Sequence, residues 1–132
     1  MELLNTEIES SFEAVDMLVN DAVQLLEDQL KSLTHSQIFN INFMLREILN
    51  NAVEHGNHFE SHKKVRCIIT YDEHQLIFVV KDEGKGINLD DIPLKHEPKD
   101  LLRQRNRGHE TIREMAFDVF INQTEVTVIL KI

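Results

Sequence analysis

The apolar residues of this chain change period part-way along it, and that change limits the folds open to it. Phe12, Val15, Leu18, Val19, Ala22, Val23, Leu25, Leu26 and Leu30 recur at helical spacing behind Ser10 and Ser11, either of which can cap the helix. A second series, Ile41, Leu45, Ile48 and Ala52, predicts a helix over residues 36–55 that Gly56 and Asn57 close. From residue 65 the period falls to two. Residues 65–71 and 75–81 read as strands joined by a turn at 72–74, residues 117–122 and 125–132 read the same way, and residues 2–8 form a further short strand. Gly108 opens a third helix, to about residue 116. With no repeats and no linker, this order predicts one domain over residues 1–132. Its fold class is α+β, a two-layer α/β sandwich with helices on one face of a mixed, mainly antiparallel sheet.

Composition narrows the partners. A chain of 132 residues, 42% apolar and 28% charged, can fold around one core. No apolar run approaches the roughly 20 residues of a membrane-spanning helix. The start, MELLNTEIESSFEA, has neither the basic residues nor the apolar run of a secretory signal. Cys67 is the single cysteine, so no internal disulfide can form, and a cytoplasmic location is expected. The net charge of −9 argues against nonspecific nucleic-acid binding and against anionic membranes. Lys95, Lys99, Arg103, Arg105, Arg107 and Arg113 nevertheless make one segment locally basic, either a seat for an anionic ligand or a solvated charged loop. The aperiodic stretch 83–107 contains Gly84, Gly86, Pro93 and Pro98; at about 25 residues it has the length of a lid or binding loop.

Three short stretches carry chemistry. In REILNNAVEHG, residues 46–56, two asparagines interrupt a helix interior that disfavours them. At about 100° per residue, Asn51 lies at the edge of the apolar stripe, with Glu47 about 40° outward and His55 about 40° inward. A carboxylate there can act as a general base, and an amide oxygen can ligate a hard cation such as magnesium. A solvated helix edge has the same appearance. In VVKDEGKGI, residues 79–87, Asp82 ends a strand before Gly84 and Gly86, so a fixed carboxylate precedes backbone free to approach a ligand. A plain hairpin turn is the alternative. In RNRGHETIREMAF, residues 105–117, arginines precede a glycine at a helix start, which is phosphate-binding chemistry or a routine junction. His55, His58 and His62 straddle a helix end without the carboxylate or cysteine pattern of a metal site. Cys67, inside an alternating strand, reads as a core residue and not as a nucleophile. There is no Walker-type phosphate loop and no protein-kinase signature set.

In this order, Glu47-x3-Asn51-Ala-x2-His55-Gly56, Asp82-x-Gly84-x-Gly86 and Arg107-Gly108 resemble the N box and the two glycine boxes of the GHKL, or Bergerat-fold, ATPases. The strand and helix before the N box are most similar to bacterial anti-sigma-factor serine/threonine kinases. That resemblance implies a Bergerat ATP-binding fold, with ATP and magnesium as cofactors. Glu47 would be the catalytic carboxylate and Asn51 the magnesium ligand. Asp82 would read adenine, and Gly84 and Gly86 would admit the nucleotide. His55, Arg105, Arg107, Gly108 and Thr111 would complete the binding set, with residues 83–107 as the lid. The implied partners are a STAS-type antagonist, phosphorylated on serine, and a sigma factor or other effector held by partner switching; a homodimer is implied too. The chain starts too close to the N box to hold the phosphoacceptor hairpin expected of a sensor histidine kinase. It departs from the pattern at Asn106, where the second glycine box has its first glycine, at His109 and Thr111, and at Gln123-Thr124, which lack the usual glycine. Those departures leave room for a catalytically weak ATP-dependent switch, or for a partner-binding module without nucleotide.

Overall fold

The computed structural model describes residues 1–84 and 117–132. Strand β1 (Glu2–Glu9) leads into helix α1 (Phe12–Gln29) and helix α2 (His35–Asn51). A π-helical turn follows at Ala52–Gly56, then β2 (Lys64–Asp72), β3 (Gln75–Lys81), β4 (Phe117–Asn122) and β5 (Glu125–Lys131). The strands form one sheet in the order β1-β2-β3-β5-β4, and every pairing between them is antiparallel, in keeping with the mainly antiparallel sheet of the expected α+β sandwich. The region expected to hold the Gly108 helix lies outside the described residues.

Local chemistry sets most of the boundaries. Ser11, not Ser10, caps α1, its Oγ accepting from the Ala14 amide at 3.2 Å. The second helix starts at His35, within one residue of the expected start, where Thr34 and Gln37 form a reciprocal capping box, at 3.1 and 2.9 Å. Its α-helical part ends at Asn51, four residues short of the expected His55. Beyond it the bonding steps out by one residue, and the Asn57 amide donates to the Ala52 carbonyl at 2.8 Å. Strands β2 and β3 meet through Glu73 and His74, both at positive φ (44° and 70°), as a two-residue hairpin of the primed type requires.

The alternation along β2 and β3 is real burial. Val65, Cys67 and Ile69 of β2, and Leu76, Phe78 and Val80 of β3, point at the helices and are fully or almost fully buried. From the other side come Val15, Val19, Ala22 and Leu26 of α1, with Ile41, Leu45, Ile48 and Leu49 of α2. Val128 and Leu130 of β5 and Phe117 and Val119 of β4 extend this core toward the far edge of the sheet. Burial pushes the Cys67 thiol up to about 12. Its alkylation at pH 8 is therefore expected to run at least about tenfold slower in the native protein than in denaturant, because only the thiolate reacts; equal rates would contradict this placement. Among the described residues no helix is long and apolar enough to cross a membrane.

Candidate functional site

The site is built where α2 runs out beside the end of β3. Glu47 and Asn51 stand one helical turn apart on one flank of α2, both half-buried. Asn51 Nδ2 and Asn50 Oδ1 are buried atoms with no hydrogen-bond partner among the described residues. Each such group costs about 1–3 kcal/mol unless something satisfies it. The sequence thus tolerates an expense in the helix interior that an apolar pair would avoid.

The π-turn carries the chain from α2 to the end of β3. A turn one residue wider advances less than the α-helical value of about 100° per residue, so His55 falls back from the inward position that α-helical spacing gave it. It stands half-exposed, its Nε2 3.9 Å from the Glu54 carboxylate. Gly56, at the end of the turn, touches Asp82: a β-carbon there would lie 2.3 Å from Asp82 Oδ2. A β-carbon on Gly84 would lie 2.0 Å from the Gly56 carbonyl oxygen. The Gly84 amide donates to Asp82 Oδ1 at 2.9 Å, while the Asp82 amide donates to the Thr124 carbonyl at 2.9 Å. Gly56, Asp82 and Gly84, 28 residues apart at the extremes of the sequence motif (84 − 56), therefore form a single close-packed knot. Gly84 was expected to be small for a ligand's sake; the chain itself already demands it.

One residue that holds this knot was missed. Asn57, expected only as a helix terminator, is completely buried. Its Nδ2 donates to Ser10 Oγ at 2.9 Å and to the Lys64 carbonyl at 3.0 Å, and its Oδ1 accepts from the Glu83 amide at 2.8 Å. Ser10 Oγ in turn donates to the Lys63 carbonyl at 2.6 Å. Asn57 thus ties the end of the π-turn to β2, to the start of α1 and to the residue after Asp82. Its partners lie up to 47 residues away, so no local spacing announces it. Of the other expected site residues, Gly86, Arg105, Arg107, Gly108 and Thr111 lie outside the described residues.

The residues present fit a magnesium nucleotide. Asn51 brings an amide whose unsatisfied Nδ2 suits a phosphate or water oxygen and whose Oδ1 is the atom that would ligate the metal, while Glu47 and Asp82 bring carboxylates, Asp82 being packed against Gly56 and bonded to the Gly84 amide. Oxygen donors of this kind suit a hard cation that retains its waters.

The fold is like that of the histidine kinase domain of a blue-light activated histidine kinase, EL346, from Erythrobacter litoralis. The TM-score is 0.52 at 17% identity, over 95% of this chain and 61% of that one, so this chain spans about three-fifths of that protein's length. No curated protein matches the chain. A family model, the histidine kinase-like ATPase domain, matches residues 8–132, nearly the whole sequence, and its description implies ATP binding. On that match, with the α+β sandwich beneath it, the chain belongs to the histidine kinase-like ATPase domain family.

Proposed function

We propose that the chain is an ATP-dependent serine/threonine kinase of the anti-sigma type, which phosphorylates a STAS-type antagonist and holds a sigma factor or other effector by partner switching. The observation that carries the reading is the junction itself. The flank with Glu47 and the unsatisfied Asn51 amide runs directly into the Gly56–Asp82–Gly84 knot. ATP bound with magnesium would supply the γ-phosphoryl group. Glu47 would take the proton from the partner's serine hydroxyl, and Asn51 would hold the metal. Asp82 would accept a hydrogen bond from the adenine amine, and Gly84 and Gly86 would line its entry. Arg105, Arg107, Gly108 and Thr111 would face the phosphates, with His55 at the rim. Homodimerisation and a cytoplasmic location belong to the same proposal.

The test is incubation with ATP labelled in its γ-phosphate and purified STAS domains. Label is expected on a partner serine, and Glu47→Gln should lower its rate roughly a hundredfold while leaving ATP-induced thermal stabilisation in place. Asn106 in the second glycine box favours one other reading, an ATP-dependent switch with weak turnover. Stabilisation by ATP with no label on any partner would select the switch. No response to ATP at all would leave a partner-binding module.

A further inference from the structure

We infer that the outer surface of the helix layer, along the seam between α1 and α2, is a docking groove for a basic amphipathic helix of a partner protein. Asp16, near the start of α1, pairs with Arg46, near the end of α2, so the two helices run antiparallel across the turn at residues 30–34. On α2, Phe43 and Phe39 lie one and two turns before Arg46 on the same side; they are 36% and 68% exposed. On α1, Phe12 lies one turn before Asp16 and is 44% exposed. Phe59 packs its ring edge-on to Phe12, with centroids 5.1 Å apart at 78°.

Because the helices are antiparallel, these residues fall in a row: Phe59 and Phe12, then the Asp16–Arg46 pair, then Phe43, then Phe39. At 1.5 Å per residue the row from Phe12 to Phe39 covers about 16 Å of seam. That is about three turns of helix, the reach of a partner with apolar side chains at i, i+4, i+7 and i+11. The backbone underneath is costly. His58 and Phe59 are consecutive non-glycine residues at positive φ (50° and 57°), and the arrangement keeps a half-exposed aromatic ring in line.

Charge selects the occupant. On α1, Glu13 and Glu27 flank the seam beside the paired Asp16, while Asp21 and Asp28 lie further round the helix; all five are exposed, and the helix has no lysine or arginine. A second copy would set acid against acid, and an anionic lipid surface would be repelled. An apolar stripe flanked by lysines and arginines satisfies both the aromatic row and its acidic border.

Nothing here depends on nucleotide, so the test uses the full chain without ATP. The probe is a fluorescent lysine-rich helical peptide with leucines at i, i+4, i+7 and i+11, compared by anisotropy with a scrambled peptide of the same composition. Micromolar binding of the patterned peptide is expected, with Phe39→Ala/Phe43→Ala weakening it at least about tenfold. Phe39→Ala alone, at a two-thirds exposed position, gives the same reading with less risk to the core. Undiminished binding by either variant, or equal binding of the scrambled peptide, would overturn the inference. So would a dimer in sedimentation that these substitutions dissolve.

Discussion

Asn57→Ala is expected to cost about 3 kcal/mol of unfolding free energy, although it removes only a short side chain beyond the last helical turn. The substitution deprives three groups of a partner at once: Ser10 Oγ, the Lys64 carbonyl and the Glu83 amide. A buried group that loses its partner costs about 1–3 kcal/mol, with the lower figure apt where water can reach and for Ser10 Oγ, which keeps its bond to the Lys63 carbonyl. Lys64 is half-buried and Glu83 exposed, so the sum lies near the low end of that range for each. For a domain of this length, roughly 4 °C per kcal/mol gives a fall in Tm of about 12 °C. Urea melts with matched m-values would measure it. The Glu83 amide should also lose its protection from hydrogen exchange, since Asn57 Oδ1 is its acceptor. Because the same side chain fixes the turn after Asp82, the variant should respond less to ATP even at temperatures where it is folded. A loss below about 1 kcal/mol would mean that water replaces the clamp and that the knot is held by packing alone.

What could be read in advance depended on whether the determining contacts were local. Val65, Cys67 and Ile69 alternate because one face of β2 meets helices, so a period of two in the sequence is already a statement about burial. Ser11 and the Thr34–Gln37 box act within one turn of their own backbone, so both helix starts are legible in the sequence to within a residue. The π-turn was not legible. A shift from i−4 to i−5 bonding at Ala52 changes no residue type, and the Asn57 that closes the turn is seated against the distant Ser10 and against Lys64. The site divides in the same way. Glu47 and Asn51 were placed by helical spacing alone and share one flank of α2, whereas His55 was carried past the point where that spacing holds. The reason for Gly84 was only half visible. Its two-residue distance from Asp82 could be read, but the Gly56 carbonyl that forbids a β-carbon there comes from another element.

Asn51→Ala is expected to move stability in opposite directions with and without ligand, which makes it the sharper test of the site. In the ligand-free protein the substitution removes a buried amide donor that has no partner among the described residues. It also replaces a poor helix former by the best one, at the last residue of α2. Relief of the orphan donor and a gain in propensity of about 0.6 kcal/mol work together, against a small loss of packing at a half-buried position. The net expectation is a rise of about 1 kcal/mol, or roughly 4 °C in Tm. With ATP and magnesium at a hundred times Kd, the wild type should gain about 2.7 kcal/mol by mass action, and Asn51→Ala should gain almost none of it. The two melting curves would then cross: variant above wild type without nucleotide, below it with nucleotide. If the variant were instead less stable without ligand, Asn51 would be serving the fold, and its unsatisfied amide could no longer be taken as a cost borne for a ligand. If the variant rose without ligand and still responded fully to ATP and magnesium, the metal would have to be held elsewhere, and Asn51 would lose its assigned role while Asp82 kept its own.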